Sequence, residues 1–162
     1  MKKISVILLG ICASFIFAGC PYESAVPIDQ PTENISRLLL GTWTAKTPDG
    51  VEAFVVTKTD NFNYRITEKG DKSSATYSGY LSKVDNVLFL NVRDNKDANA
   101  SFSFAKVDFN TNATKITLSF ISDEVKDKFK SSSDLKAFIR KNISRSSFYE
   151  KDKLEFEKMS NE

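Results

Sequence analysis

Histidine is missing from all 162 residues, and cysteine occurs only at Cys12 and Cys20, both within the first twenty positions. Without histidine there is no Ser-His-Asp or Cys-His nucleophile pair and no ordinary His-containing zinc site, which leaves only carboxylate, Lys or Tyr chemistry. Without cysteine beyond residue 20, no disulfide can staple the body of the chain, so packing alone must hold the fold. A basic excess is lacking as well: 23 Lys and Arg face 21 Asp and Glu, and two of the basic residues, Lys2 and Lys3, stand at the extreme N-terminus. Nucleic-acid binders carry surplus positive charge that displaces phosphate counterions, and this chain has none to spare. No apolar run reaches the roughly 20 residues that a helix needs to cross a bilayer.

The longest apolar run opens the chain. Lys2 and Lys3 form a positive start, Ile4 to Phe17 an apolar stretch, and Phe17-Ala18-Gly19-Cys20 closes it with small residues before a cysteine. That order is the pattern of a secretory signal. The small residues running directly into Cys20 resemble the lipobox of bacterial lipoproteins, with Phe17 where the family usually has Leu. The resemblance implies a signal peptide over 1–19, acylation of Cys20, and a membrane contact through that lipid. Pro21 stands where an Asp marks inner-membrane retention in enterobacterial lipoproteins, so the implied address is the outer membrane, with either face open. Removal of 1–19 leaves 143 residues, enough for one domain with a sizeable core.

Residues 20–33, with Pro21, Pro27 and Pro31 and no helical or strand period, read as an extended linker. Asn34 to Leu40 reads as a helical turn carrying Ile35, Leu38 and Leu39 inward. From Gly41 the composition turns to β-branched and aromatic residues in short runs cut by turn residues. The runs predict strands over Gly41–Lys46, Val51–Lys58, Phe62–Lys69, Ala75–Lys83, Val87–Arg93, Ala100–Phe109 and Thr114–Ile121. Pro48-Asp49-Gly50, Thr59-Asp60-Asn61, Gly70-Asp71-Lys72, Asp85-Asn86 and Asn110-Thr111-Asn112 supply the turns. Gly79 suggests a bulge or bend, and the change of phase from Phe102 and Phe104 to Val107 and Phe109 suggests a bulge near Ala105. Val125 and Phe129 predict a short helix over Asp123–Lys130. Leu135, Phe138, Ile139 and Ile143 predict a second helix, capped by Ser133. Phe148-Tyr149 and Leu154–Lys158 return to strand.

Two-to-five-residue loops join only antiparallel neighbours, and a meander hides its edges most simply by closing on itself. The expected fold is therefore mainly β: an antiparallel up-and-down meander of about eight or nine strands over residues 34–162, closing as a barrel, with two short helices before the last strand. Gly41-Thr42-Trp43 at the head of such a meander resembles the lipocalin signature. In that family the Trp plugs one end of the barrel and the lumen takes a small apolar ligand. The chain differs from the family pattern in carrying Lys158, not Arg, on the last strand, in lacking a Thr-Asp-Tyr-like loop after the sixth strand, and in placing helices before the final strand.

Candidate sites follow. Asp108-Phe109-Asn110-Thr111-Asn112 imitates the opening of a calcium loop, but Ala113 replaces the glycine and Ser119 the terminal Glu, so a hairpin turn is the expectation. Glu150, Asp152, Glu155 and Glu157 alternate with Lys151, Lys153 and Lys158 and read as a solvated face, not an acid/base pair. No metal or other cofactor is called for, and no enzyme is expected. Trp43, Tyr64, Tyr77, Phe102 and Phe104 are the candidate lining of the lumen, with the Tyr hydroxyls as oriented polar contacts. Two functions follow from those aromatic residues: a membrane-tethered carrier of a small apolar ligand, or a structural or interaction lipoprotein with a filled core that meets a protein partner.

Overall fold

The computed structural model describes residues 21–47, 50–69, 75–97 and 99–159. The expected signal peptide over 1–19 and Cys20 lie outside the described residues, as do the tips of the turns at Pro48-Asp49 and Gly70-Asp71-Lys72. Nine strands and one α-helix follow in order: β1 (Glu23–Ser24), β2 (Gly41–Thr47), β3 (Gly50–Lys58), β4 (Asn63–Lys69), β5 (Thr76–Val84), β6 (Val87–Asp94), β7 (Phe102–Phe109), β8 (Lys115–Phe120), α1 (Ser132–Asn142) and β9 (Leu154–Lys158). All pairings are antiparallel. β2 to β8 pair in sequence, β9 sits between β8 and β2, and these eight strands close a barrel. The short β1 extends the sheet from outside: it lies along Phe102 and Ser103 of β7, beyond the point where β8 takes over at Ala105.

The turns form as their residues require. Asp85 takes the left-handed conformation (φ 54°) between β5 and β6, which a short polar side chain tolerates. The Asp60 carboxylate accepts the N–H groups of Phe62 (2.8 Å) and Asn63 (2.9 Å) and so starts β4. The Asn110 side-chain oxygen accepts from Thr114 (2.9 Å) and Lys115 (3.0 Å), committing that oxygen to the hairpin.

Alternation within the strands serves two apolar regions. Trp43, Ala45, Tyr64, Leu81, Leu90, Ala105, Val107, Ile116, Leu118 and Phe156 gather inside the barrel. The outward residues Val84, Phe89 and Phe104 gather outside it with Tyr22, Ile28, Ile121, Leu135, Ile139 and Phe148. A strand with both faces covered reads as a continuous apolar run, which explains Val87-Leu88-Phe89-Leu90. It also removes both expected bulges. β7 pairs in one unbroken register with β6 and with β8: Phe102 and Phe104 point outward, Ala105 and Val107 inward. The change of phase is a change of core along a regular strand. β5 is equally regular through Gly79, where a Cβ would stand 3.2 Å from the Asn91 carbonyl oxygen and 3.3 Å from Ile66 and Leu90 side-chain carbons of the flanking strands; Gly79 makes room for those neighbours and forms no bulge.

Further expectations are corrected. Residues 20–33 are not a free spacer from Tyr22 onward, because Tyr22 is 3 % exposed, Ile28 is fully buried, and Asn91 of β6 accepts the Ile28 N–H at 3.1 Å. Leu38 does not turn inward: it is 47 % exposed while Leu39 is buried. The helix expected over Asp123–Lys130 does not form, so among the described residues a single α-helix precedes β9. A spacing of four suits an extended chain as well as a helix, and both Val125 and Phe129 still reach the outer core. The Asp127 carbonyl there accepts the Tyr22 hydroxyl at 3.0 Å. α1 is capped by Ser131, whose hydroxyl accepts from Asp134 N at 3.2 Å, two residues before the expected cap at Ser133. Phe148 belongs to a 3₁₀ turn over Ser146–Phe148, and Tyr149 makes one bridge to Ile121.

Candidate functional site: a partly filled barrel lumen

The closed end of the barrel is built around Trp43. Its ring is 1 % exposed, its indole N–H donates to the Leu39 carbonyl at 2.8 Å, and the Lys158 ammonium stands 5.1 Å from the ring centroid. β2 and β9 pair Trp43 with Lys158 directly, which brings the cation over the ring. The same ammonium donates to the Leu38 carbonyl at 3.1 Å, so the one side chain covers the Trp and ties down the turn before β2. Gly41 has φ 124°, a conformation that favours glycine, and a Cβ there would also crowd the Lys158 side chain at 3.1 Å. Tyr64 closes the same end: its hydroxyl accepts the Ser36 N–H at 2.6 Å, and burial raises its pKa.

Above Trp43 lies a cavity of about 120 Å³, walled by inward residues of β2, β3, β4, β5, β6, β8 and β9. Its wall is graded. Leu39, Trp43, Tyr64, Ile116 and Phe156 are buried, whereas Phe54, Val56, Ile66, Val92, Phe120 and Leu154 are half-exposed although they face inward. Apolar side chains that point into a barrel and remain accessible border a space the protein itself does not fill. Glu52 and Tyr77 line the cavity at the opposite end from Trp43. The Tyr77 phenol is held in its neutral form, first by burial and then by the negative charge of Glu68 and Asp94.

Of the five aromatic residues singled out from sequence, Trp43, Tyr64 and Tyr77 do meet in this cavity; Phe102 and Phe104 do not. Phe104 is fully buried in the outer core at 6.2 Å from the Tyr22 ring, and Phe102 packs on Tyr80 at 6.3 Å, with Arg93 over it. Sequence reasoning passed over Glu52, Phe54, Val56 and Val92. Carrying the inward phase of Trp43 through each hairpin would have found them, since Trp43 pairs with Phe54 and Leu90 with Leu81.

The four carboxylates near the C-terminus serve the surface. Glu157 pairs with Lys115 at 2.6 Å, which lowers the Glu157 pKa and raises that of Lys115, and Glu150 accepts the Asp123 N–H at 2.7 Å. Among the described residues no helix is long and apolar enough to cross a membrane. Comparison with protein-family models, curated proteins and solved structures gives no match.

Proposed function

We propose that this protein is a lipid-anchored protein of the bacterial envelope that binds a small apolar ligand in a lipocalin-like barrel, against Trp43. The observation that carries the reading is the ring of half-exposed apolar side chains facing a cavity of about 120 Å³. Apolar cavities of about 150 Å³ stay dry and take up benzene, whereas drug-sized ligands need about 300 Å³ or more. The ligand is accordingly a small ring or the end of a single chain. Titration of Trp43 emission tests this: a ligand held against the indole changes it saturably and raises the melting temperature by mass action. The absence of any saturable response across a library of small apolar molecules, with Trp43 still buried, would favour the interaction protein with a filled core.

The anchor belongs to the same proposal. Acylation at Cys20 would leave only Pro21, about 7 Å of chain at full extension, between the anchor and the buried Tyr22. The domain would then lie against the bilayer instead of hanging from a tether. Mass spectrometry of membrane-extracted protein is expected to find a lipidated N-terminal cysteine, and C20A to release or misprocess the protein. Recovery of an intact Met1 terminus from the native host would refute it.

A further inference from the structure

The inward positions of the barrel strands are polarised along its axis. At the Trp43 end the charged residues in the inward phase are basic: Lys158 above the indole, Lys58 opposite Tyr64, and Lys83 opposite Leu88. At the other end they are acidic. Glu52 lines the cavity two positions beyond Phe54; Glu68 is the cross-strand partner of Phe54; Asp94 is the cross-strand partner of Tyr77. Among the described residues, no Lys or Arg of the barrel strands takes the inward phase in that half. Lys46 and Lys69 lie in the outward phase there, and Arg93 is turned onto the outer face of Phe102. Glu52 is the one charged residue among the described residues that line the cavity, at the end away from Trp43, so a ligand with its apolar body against Trp43 leaves its polar head among these carboxylates.

We propose that the ligand is an amine, its apolar body in the lumen against Trp43 and its ammonium at the rim formed by Glu52, Glu68 and Asp94. The proposal rests on the lumen being a ligand site. An amine offers the rim a charge of opposite sign and N–H donors for acceptor-only carboxylates. A carboxylate ligand would put a fourth negative charge in the same place, next to a phenol kept neutral first by burial and then by two of the three. The apolar wall accepts either ligand's body equally, so the discrimination lies in the head group alone.

Benzylamine, benzyl alcohol and benzoate share a ring matched to the cavity and differ in charge. Titrated at pH 7 and low salt, with Trp43 emission and melting temperature as readouts, benzylamine is expected to bind about tenfold more tightly than benzyl alcohol, and benzoate more weakly than either. The ratio of amine to alcohol affinity is expected to fall toward one as salt is raised, and to fall in E52Q and E68Q. Because the ratio is taken within one protein, partial unfolding of a variant does not imitate the effect. Equal binding of all three ligands, or a preference for benzoate, overturns the amine while leaving the lumen site standing. Failure of all three to saturate the signal overturns the lumen site, and the amine with it.

Discussion

The barrel wall separates two apolar regions that are packed to different standards. Outside, Ile28, Phe89, Phe104, Leu135 and Ile139 have no accessible surface at all, pressed between the outward face of β5 to β7, the N-terminal strap and α1. Inside, the aromatic end is sealed, but Phe54, Val56, Ile66 and Val92 keep accessible surface next to a cavity. Eight strands enclose a lumen just wide enough for side chains to fill or for one small ligand. Here the sequence fills the lower part and stops. Both regions draw on distant parts of the chain, but only the inner one borders a cavity that its own side chains leave open.

That contrast is tested most strongly by truncation. F104A in the outer core is expected to cost about 3–5 kcal/mol, because a buried ring is lost and a cavity remains. I66A in the lumen wall is expected to cost about 1 kcal/mol, as a half-exposed residue beside existing space does. Denaturant unfolding measures both, and equal costs would erase the distinction.

Asn91 is the polar joint of the outer region. It is fully buried, accepts from Ile28 N, and donates to Ser82 Oγ at 2.9 Å and to the Tyr80 carbonyl at 3.2 Å. N91L would leave the Ile28 N–H unpaired and buried, at a cost of about 1–3 kcal/mol. Limited proteolysis is expected to cut first within residues 21–33 in this variant, since the strap is what the joint secures. Unchanged protease resistance would show that Tyr22 and Ile28 hold the strap without it.

Alkali is a weaker lever on the same region. Burial pushes the Tyr80 and Tyr149 hydroxyls up to about 12, with Asp29 adding to the first and Asp108 to the second; they donate to the carbonyls of Asp29 (2.7 Å) and Ile143 (2.9 Å). In the unfolded chain they titrate near 10. Between about pH 10 and 12 the unfolded state therefore binds fewer protons than the folded one, and stability falls as pH rises. Melting temperature is expected to be insensitive to these groups below pH 10 and to decline above it, less steeply in Y80F.

The smallest change in stability, and the sharpest for function, is expected from filling the lumen. V92F places a ring in existing space and is expected to alter stability by about 1 kcal/mol or less. It should abolish the saturable Trp43 response to small apolar ligands. A retained response would place the ligand elsewhere.

What was legible in the sequence was local. β9 has the bounds its alternation indicates, Leu154–Lys158, and the Asp85-Asn86 turn and the Leu135-Phe138-Ile139 stripe of α1 stand where periodicity and turn chemistry put them. The segment Val125–Phe129 was not legible, because a spacing of four is compatible with both periods and the deciding contacts come from Tyr22 and the Phe138 ring, the latter 5.0 Å from Phe129. Nor was the strap over residues 21–29, whose prolines suggested a spacer while Ile28 was fixed by an asparagine 63 positions away.

By itself the sequence determined the strands and most of their turns, since backbone pairing with a neighbour and the φ demands of a two-residue turn are settled within a few residues. Alternation also separated two faces on each strand. It could not say which face looked into the barrel, because an apolar face is equally at home against the lumen or under a strap and a helix. Tertiary structure alone decided that Phe102 and Phe104 look outward while Trp43, Tyr64 and Tyr77 look in, and that the inward carboxylates gather at one end: barrel closure and the covering of β5 to β7 assign the faces of every strand together.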